Sequence, residues 1–296
     1  MKKSAPCFVL AAGTLWGIMG IFVRTLSGYG FSSVQIAAAR IVFGALLFLI
    51  ITAVINPAQL KIRRKDAGLF LGMGIFSLLL FTVCYFTTIS MASLSVAAIL
   101  LYTSPIWVML MSLICFREPV TRRKALAAAM AFGGCVLVSG IGSGSWITPM
   151  VLLTGLLSAV GYGLYSIFGT FALRKYPPLT VTTYAFLFGA AGSIFLCDPM
   201  GAVRIVCGAD KPGLLVLLLV VTAFVTAVLP YLLYTIGLSH MRASSAAIMA
   251  SIEPVVATAA GALVFHEALT PPSLLGIALV LAAIVVLNTR SSGQTS

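Results

Sequence analysis

The stretch SVAAILLYTSPIWVMLMSLICFREPVT, Ser95–Thr121, decides how the chain is read. It returns 149 positions later as SSAAIMASIEPVVATAAGALVFHEALT, Ser244–Thr270. Without a gap, the identical pairs are Ser95/Ser244, Ala97/Ala246, Ala98/Ala247, Ile99/Ile248, Pro105/Pro254, Phe116/Phe265, Glu118/Glu267 and Thr121/Thr270. That is eight of 27 positions, where so biased a composition gives roughly two by chance. Each copy reads as an apolar helix broken near its middle by proline. Each ends in Phe-x-Glu and a threonine that can cap the next helix. A unit used twice makes the chain two related halves.

The solvent for these helices follows from composition. The 296 residues are 61% hydrophobic and 8% charged, with a mean hydropathy of +1.15. A soluble domain carries about 25% charged residues, so this chain is read as a bundle of helices in lipid. The net charge of +12 does not point to nucleic acid, because the basic residues sit in short runs between apolar segments, as topology signals do. Cys7, Cys84, Cys115, Cys135, Cys197 and Cys207 form no Cys-x-x-Cys and mostly lie in apolar segments. They read as small buried hydrophobes. His240 and His266 have no metal-ligand spacing. Lys2 and Lys3 followed by an apolar run resemble a signal peptide, but Ala5–Val23 is long and shows no cleavage site, and is expected to be a retained span.

Ten candidate spans appear: Ala5–Val23, Ser33–Ile55, Ala67–Ser90, Leu94–Cys115, Ala125–Ile141, Met150–Phe171, Leu179–Leu196, Pro212–Leu238, Ala243–Val264 and Pro271–Leu287. A tight turn at Met91–Ser93 must divide the third from the fourth. Runs such as LLVLLLVVTAFV do not alternate, which excludes a membrane barrel. With the N-terminus inside, 14 Lys and Arg residues fall inside, three fall outside (Arg24, Arg204, Lys211), and Arg40 is buried in a span. The expected fold is therefore all-α and integral to the membrane, with both termini cytoplasmic. A repeat offset of five spans is odd, so the halves, residues 1–143 and 144–296, are expected to be inverted. Trp146 falls at an outer boundary, where aromatic residues belong. Gly13-x-x-x-Gly17 and Gly68-x-x-x-Gly72 suit close helix crossings.

Two charges lie inside spans. Arg40 is about 10 Å from the outer end of the second, and Glu253 about 16 Å deep in the ninth. Their depths differ by about one helical turn, so they can share a partner or a wet cavity. Glu253 is a candidate contact for substrate or a coupling cation, and Arg40 for an anion or as counter-ion. The alternative is a salt bridge that locks two helices. The repeat places Ser104 opposite Glu253, so the scaffold does not itself require the carboxylate. Pro105 and Pro254 remove backbone donors and free the carbonyls of Leu101 and Ala250; Pro230 does the same to Thr226. Trp16, Tyr85, Tyr102, Trp107, Tyr165 and Tyr234 sit deep and either shape a cavity or pack a core. Trp16/Tyr165 and Tyr85/Tyr234 are repeat equivalents. Glu118 and Glu267 end spans four and nine and read as parts of structural elbows. No zinc-protease, Walker or Gly-x-Ser-x-Gly motif occurs, so no enzyme is expected.

These features resemble one family. The duplicated SVAAILLYTSPIWV…FREPVT and SSAAIMASIEPVVA…FHEALT, the early LWGIMGIFVR, and Arg40 in the second span are similar to the EamA-type branch of the drug/metabolite transporter superfamily. That resemblance implies ten helices in two inverted five-helix halves. It implies export or exchange of amino acids, other metabolites or drugs by alternating access. It also implies a central cavity lined by Trp16, Tyr85, Tyr102, Trp107, Tyr165, Tyr234 and Glu253. The Glu-Pro at 253–254 faces only Ser-Pro at 104–105, so a symmetric carboxylate pair is not available. A small-molecule substrate and the lipid bilayer of the cell membrane are the expected partners. No cofactor is expected, proton coupling is left open, and monomer or homodimer is undetermined. A membrane receptor or assembly subunit without a transport cycle is the competing reading.

Overall fold

A computed structural model describes residues 4–92, 94–139, 148–195 and 198–288. Lys2, Lys3 and Arg290 of the charge tally, Ser93, Trp146, Cys197, the boundary between 143 and 144, and the distal ends of the fifth and seventh expected spans lie outside them. Among the described residues there is no β-strand. The chain runs as α1 (Ala5–Gly17), α2 (Met19–Gly28), α3 (Ser33–Ile55), α4 (Ala67–Leu71), a π-helical segment (Gly72–Leu79), α5 (Leu80–Met91), α6 (Leu94–Leu101), α7 (Ser104–Phe116), α8 (Arg122–Ser139) and α9 (Pro149–Leu173). It continues as α10 (Pro178–Ser193), α11 (Pro199–Cys207), α12 (Pro212–Ala223), a second π-helical segment (Phe224–Val228), α13 (Leu229–Leu238), α14 (Ala243–Ala250), α15 (Glu253–Phe265) and α16 (Pro271–Asn288).

Eight of these stretches are long and apolar enough to cross a membrane: Ala5–Gly28, Ser33–Ile55, Arg64–Met91, Ser95–Phe116, Pro149–Leu173, Pro212–Leu238, Ala243–Phe265 and Pro271–Asn288. The two other expected spans correspond to α8, whose first turn is Arg122-Arg123-Lys124, and to α10, which has 16 residues. Local chemistry sets the ends. Ser32 and Gln35 form a reciprocal capping box on α3, satisfying two orphan donors. Thr148 caps α9, where Pro149 occupies a first-turn position that needs no N–H. α11 was not anticipated from the apolar pattern, yet its signal is present: Asp198 accepts from Gly201 N–H at 2.9 Å, ahead of Pro199.

The broken helices are as the prolines require. α6 stops at Leu101 and α7 begins at Ser104; α14 stops at Ala250 and α15 begins at Glu253. In the second break the ladder tightens, with Ser251 N–H bonding Ile248 O and Ile252 N–H bonding Met249 O, each at 3.2 Å. Local geometry recurs at the offset of 149. Among the described residues, Arg117 and His266 are the two with positive φ other than glycine, at 53° and 54°. After them Glu118 N–H bonds Ser112 O, and Glu267 N–H bonds Gly261 O, both at 3.2 Å. This six-residue closure satisfies an orphan carbonyl and turns the chain sharply. Thr121 then caps Lys124 N–H and Thr270 caps Ser273 N–H, both at 3.3 Å. The π-helical segments overlap at the same offset, 75–79 against 224–228.

Small residues set the closest crossings. A Cβ built on Gly13 would lie 3.2 Å from Ala250 O, and one on Gly17 would lie 2.7 Å from Glu253 O. α1 thus lies directly on the second helix break, as the Gly13-x-x-x-Gly17 spacing suggests. The second such motif works only in part: Gly72 is pressed on the Phe168 ring, but Gly68 meets nothing within 4 Å. At one end of the bundle, buried Asp66 takes hydrogen bonds from Lys175 Nζ and Tyr176 Oη, tying the α3–α4 connection to the α9–α10 turn. The cysteines are not uniformly buried. Cys84 and Cys135 are, but Cys7, Cys115 and Cys207 are exposed. A thiol is apolar enough to face lipid.

Candidate functional site

The breaks place chemistry in the interior. Because α14 stops at Ala250, the N-terminus of α15 lies deep in the bundle, and Glu253 stands in its first turn. A helix N-terminus favours a carboxylate there by about 0.3–1 kcal/mol. Glu253 and Arg40 line one cavity of about 80 Å³, walled by Trp16, Phe81, Tyr85, Tyr162 and Tyr231. They do not form a direct ion pair. The ion pairs among the described residues are Arg24–Glu267, Lys124–Glu118, Lys175–Asp66 and Arg204–Asp198.

Arg40 is held by a different group. Its Nε donates to Thr226 Oγ1 at 2.8 Å, and its Nη2 donates to Thr226 O at 2.7 Å. Thr226 lies in the second π-helical segment, four residues before Pro230, which has no N–H to give that carbonyl. The Thr226 hydroxyl has already donated to Thr222 O at 2.7 Å, so it is oriented to accept. One edge of the guanidinium is therefore fixed on α12–α13, while the side chain faces the cavity. Charge-assisted bonds of this kind are worth about 1.5–3 kcal/mol, which offsets part of the cost of a deep arginine.

The aromatic residues form one contiguous cluster. Trp16 makes ring contacts with Tyr231, Tyr234 and Tyr162 at 5.1, 5.5 and 6.2 Å, and Phe81 stacks on Tyr85 at 5.6 Å. Tyr165 and Tyr234 are buried beside them and line a small cavity of about 10 Å³ with Trp16, Tyr162 and Tyr231. Tyr165 Oη meets Thr235 Oγ1 at 3.0 Å, and Tyr234 Oη meets Ser166 Oγ at 2.7 Å. A buried hydroxyl satisfied in this way serves packing. Tyr102, Ser104 and Glu253 line a second cavity of about 10 Å³, into which residues of both helix breaks converge, Leu101 from one and Ala250 from the other. It has room for about one water. Pro105 and Pro254 are buried at the breaks. Trp107 is half-buried on α7 and is not among the residues lining these cavities.

Phe81, Tyr162 and Tyr231 were not singled out by sequence, and Thr226 only as the carbonyl that Pro230 frees. Tyr162 stands three residues before Tyr165 on the same helix, and Tyr231 directly follows Pro230, the available signals. Ile41, Thr82 and Phe86 line both the chamber and a groove of about 280 Å³ between α3 and α5 that reaches Ser90 and Ser193. The opposite end is closed. There Phe116 and Phe171 pack at 4.8 Å with Arg174 over both rings. Beside them Ser244 Oγ donates to Glu118 Oε2 at 2.6 Å and accepts from Lys124 Nζ at 2.7 Å. Glu267, the repeat equivalent of Glu118, instead pairs with Arg24 on the exposed surface. No cluster of three or more His, Cys, Asp or Glu with metal-binding geometry occurs among the described residues.

An all-helical chain with eight apolar stretches of spanning length around a charged, aromatic-walled chamber is a multi-pass membrane protein. The chain belongs to the EamA-like transporter family, whose model matches residues 3–140 and again 149–289; that family is part of the drug/metabolite transporter superfamily. Two proteins of Archaeoglobus fulgidus, each named an uncharacterized transporter, are similar to it. One is 27% identical, with 97% of this chain and 96% of the relative covered; the other is 28% identical, with 92% and 94% covered. The uncharacterized transporter YyaM of Bacillus subtilis is 28% identical over 71% of this chain and 69% of its own. A solved structure described only as a protein crystal structure aligns with a TM-score of 0.79, 18% identity and 97% of both chains covered. That likeness concerns the fold.

Proposed function

We propose that this membrane transporter works as a secondary active exporter or exchanger of a small metabolite carrying both positive and negative charge, by alternating access to the Arg40–Glu253 chamber. One observation carries the reading. The two charged side chains face one cavity without making a direct ion pair. Unpaired intramembrane charges are costly, and a ligand that supplies the counter-charges recovers that cost. Arg40 would take the anionic group, Glu253 the cationic group or a proton, and the aromatic walls the remainder.

In this reading α8 and α10 complete ten spans, arranged as inverted five-helix halves at 1–143 and 144–296, with both termini in the cytoplasm of a cell bounded by this membrane. The double match of the family model and the matched elbows at Arg117 and His266 support two halves. The charge distribution supports the orientation. No catalytic step is involved, and gradients of ion or substrate drive the cycle.

The test is counterflow of a metabolite panel into proteoliposomes, with and without a pH gradient, comparing wild type and Glu253→Gln. Glu253→Gln is expected to cut transport at least tenfold while the protein stays folded. Full activity with unchanged pH dependence would remove Glu253 from the site.

A further inference from the structure

The chamber and the groove beside it differ in chemistry. We propose that the groove between α3 and α5 is a second subsite for the apolar part of the transported molecule. The substrate is then amphipathic, with a small doubly charged head at Arg40 and Glu253 and an apolar tail of several carbons. This rests on the chamber being the transport site.

Size makes the first argument. A cavity of about 80 Å³ has room for about six water-sized spheres, enough for a head of a few heavy atoms. A larger metabolite must extend beyond it. The groove is about 280 Å³ and shares Ile41, Thr82 and Phe86 with the chamber.

Hydrogen bonding makes the second argument. Among the described residues, no charged side chain lines the groove. Its four hydroxyls all donate to their own helices: Thr82 to Leu78 O at 2.7 Å, Thr87 to Val83 O at 2.8 Å, Ser90 to Thr87 O at 2.8 Å and Ser193 to Ala190 O at 3.0 Å. No hydroxyl proton is left for a ligand, and water there finds few partners. Apolar matter displaces such water favourably. Arg40 and Glu253 face the neighbouring chamber without a direct ion pair, so charge lies on one side of the residues the two spaces share.

The experiment uses full-length protein in lipid nanodiscs, with Trp107 and Trp146 replaced by phenylalanine so that Trp16 in the chamber reports binding. The probes are straight-chain α-amino acids from alanine to 2-aminooctanoate, which keep one dipolar head and lengthen the tail. Affinity is expected to rise about fourfold per methylene. Ala38→Phe fills the groove and should abolish that increment while leaving alanine binding unchanged. Thr87→Phe, at a half-buried position, serves if Ala38→Phe does not fold. Increments that survive both substitutions, as they would if the groove held only a lipid chain, overturn the proposal. So does an absence of increments in the wild type. If no member of the series binds the wild type, the doubly charged head falls, and the proposal with it.

Discussion

Gly17→Ala adds one methyl group at the contact that positions Glu253. The new Cβ would lie 2.6 Å from Val256 Cβ and 2.7 Å from Glu253 O. Carbon atoms pack at about 3.5–4.0 Å, so α1 and α15 must separate by about 1 Å beside the chamber. Overpacking of this kind costs about 1–3 kcal/mol. Alanine recovers up to about 1 kcal/mol of helix propensity. Gly20→Ala makes the same chemical change three residues on, where a Cβ meets nothing within 4 Å, so it takes the propensity gain without the clash. The difference between the two variants is then the clash alone, about 1–3 kcal/mol. Thermal unfolding in nanodiscs should place Gly17→Ala several degrees below Gly20→Ala. Counterflow at a temperature where both are folded should show Gly17→Ala slower and Gly20→Ala at wild-type rate. Equal stability and equal activity would refute the claim that α1 seats the second helix break.

Other outcomes follow from single contacts. Thr226→Val removes the acceptor for Arg40 Nε and keeps the shape; it should lower stability by about 1–3 kcal/mol and weaken transport more than Thr222→Val, seen in thermal unfolding and counterflow side by side. Ser244→Ala removes the two hydrogen bonds that tie α14 to the Glu118–Lys124 ion pair at the closed end. A loss of about 1–2 kcal/mol there should raise labelling of Ala250→Cys from that end about 5–30-fold; unchanged labelling would show that these bonds do not hold the end shut.

The helical, lipid-facing architecture was legible because composition and two prolines at one offset leave few alternatives. The depth argument for Arg40 and Glu253 placed both on one cavity. Proline marked the Thr226 carbonyl as free, but not that Arg40 takes it, because nothing in the spacing tells which residue of α3 packs against α12–α13. Repeat matching found only part of the aromatic set. Of the matched residues Trp16 and Tyr85 wall the chamber, while Tyr165 and Tyr234 line a small adjoining cavity with their hydroxyls satisfied. Tyr162 and Tyr231 line the chamber, and their equivalents are Gly13 and Thr82. Arg40 and Glu253 likewise face Gly189 and Ser104 across the repeat. The two charges of the chamber thus stand at positions whose repeat equivalents are uncharged, while matched Trp16 and Tyr85 supply part of its wall. The left-handed elbows at Arg117 and His266 were hidden for a related reason: neither is glycine, so only the duplication marks them.

The most direct measurement is accessibility of a single cysteine at Ser104, which is buried beside Glu253 where the two breaks converge. With the native cysteines replaced, Ser104→Cys would be exposed to a membrane-impermeant maleimide in right-side-out and in inside-out vesicles. Alternating access predicts labelling from both sides, slowed when a transported compound is present. Labelling from one side under every condition, or from neither in active protein, would contradict it.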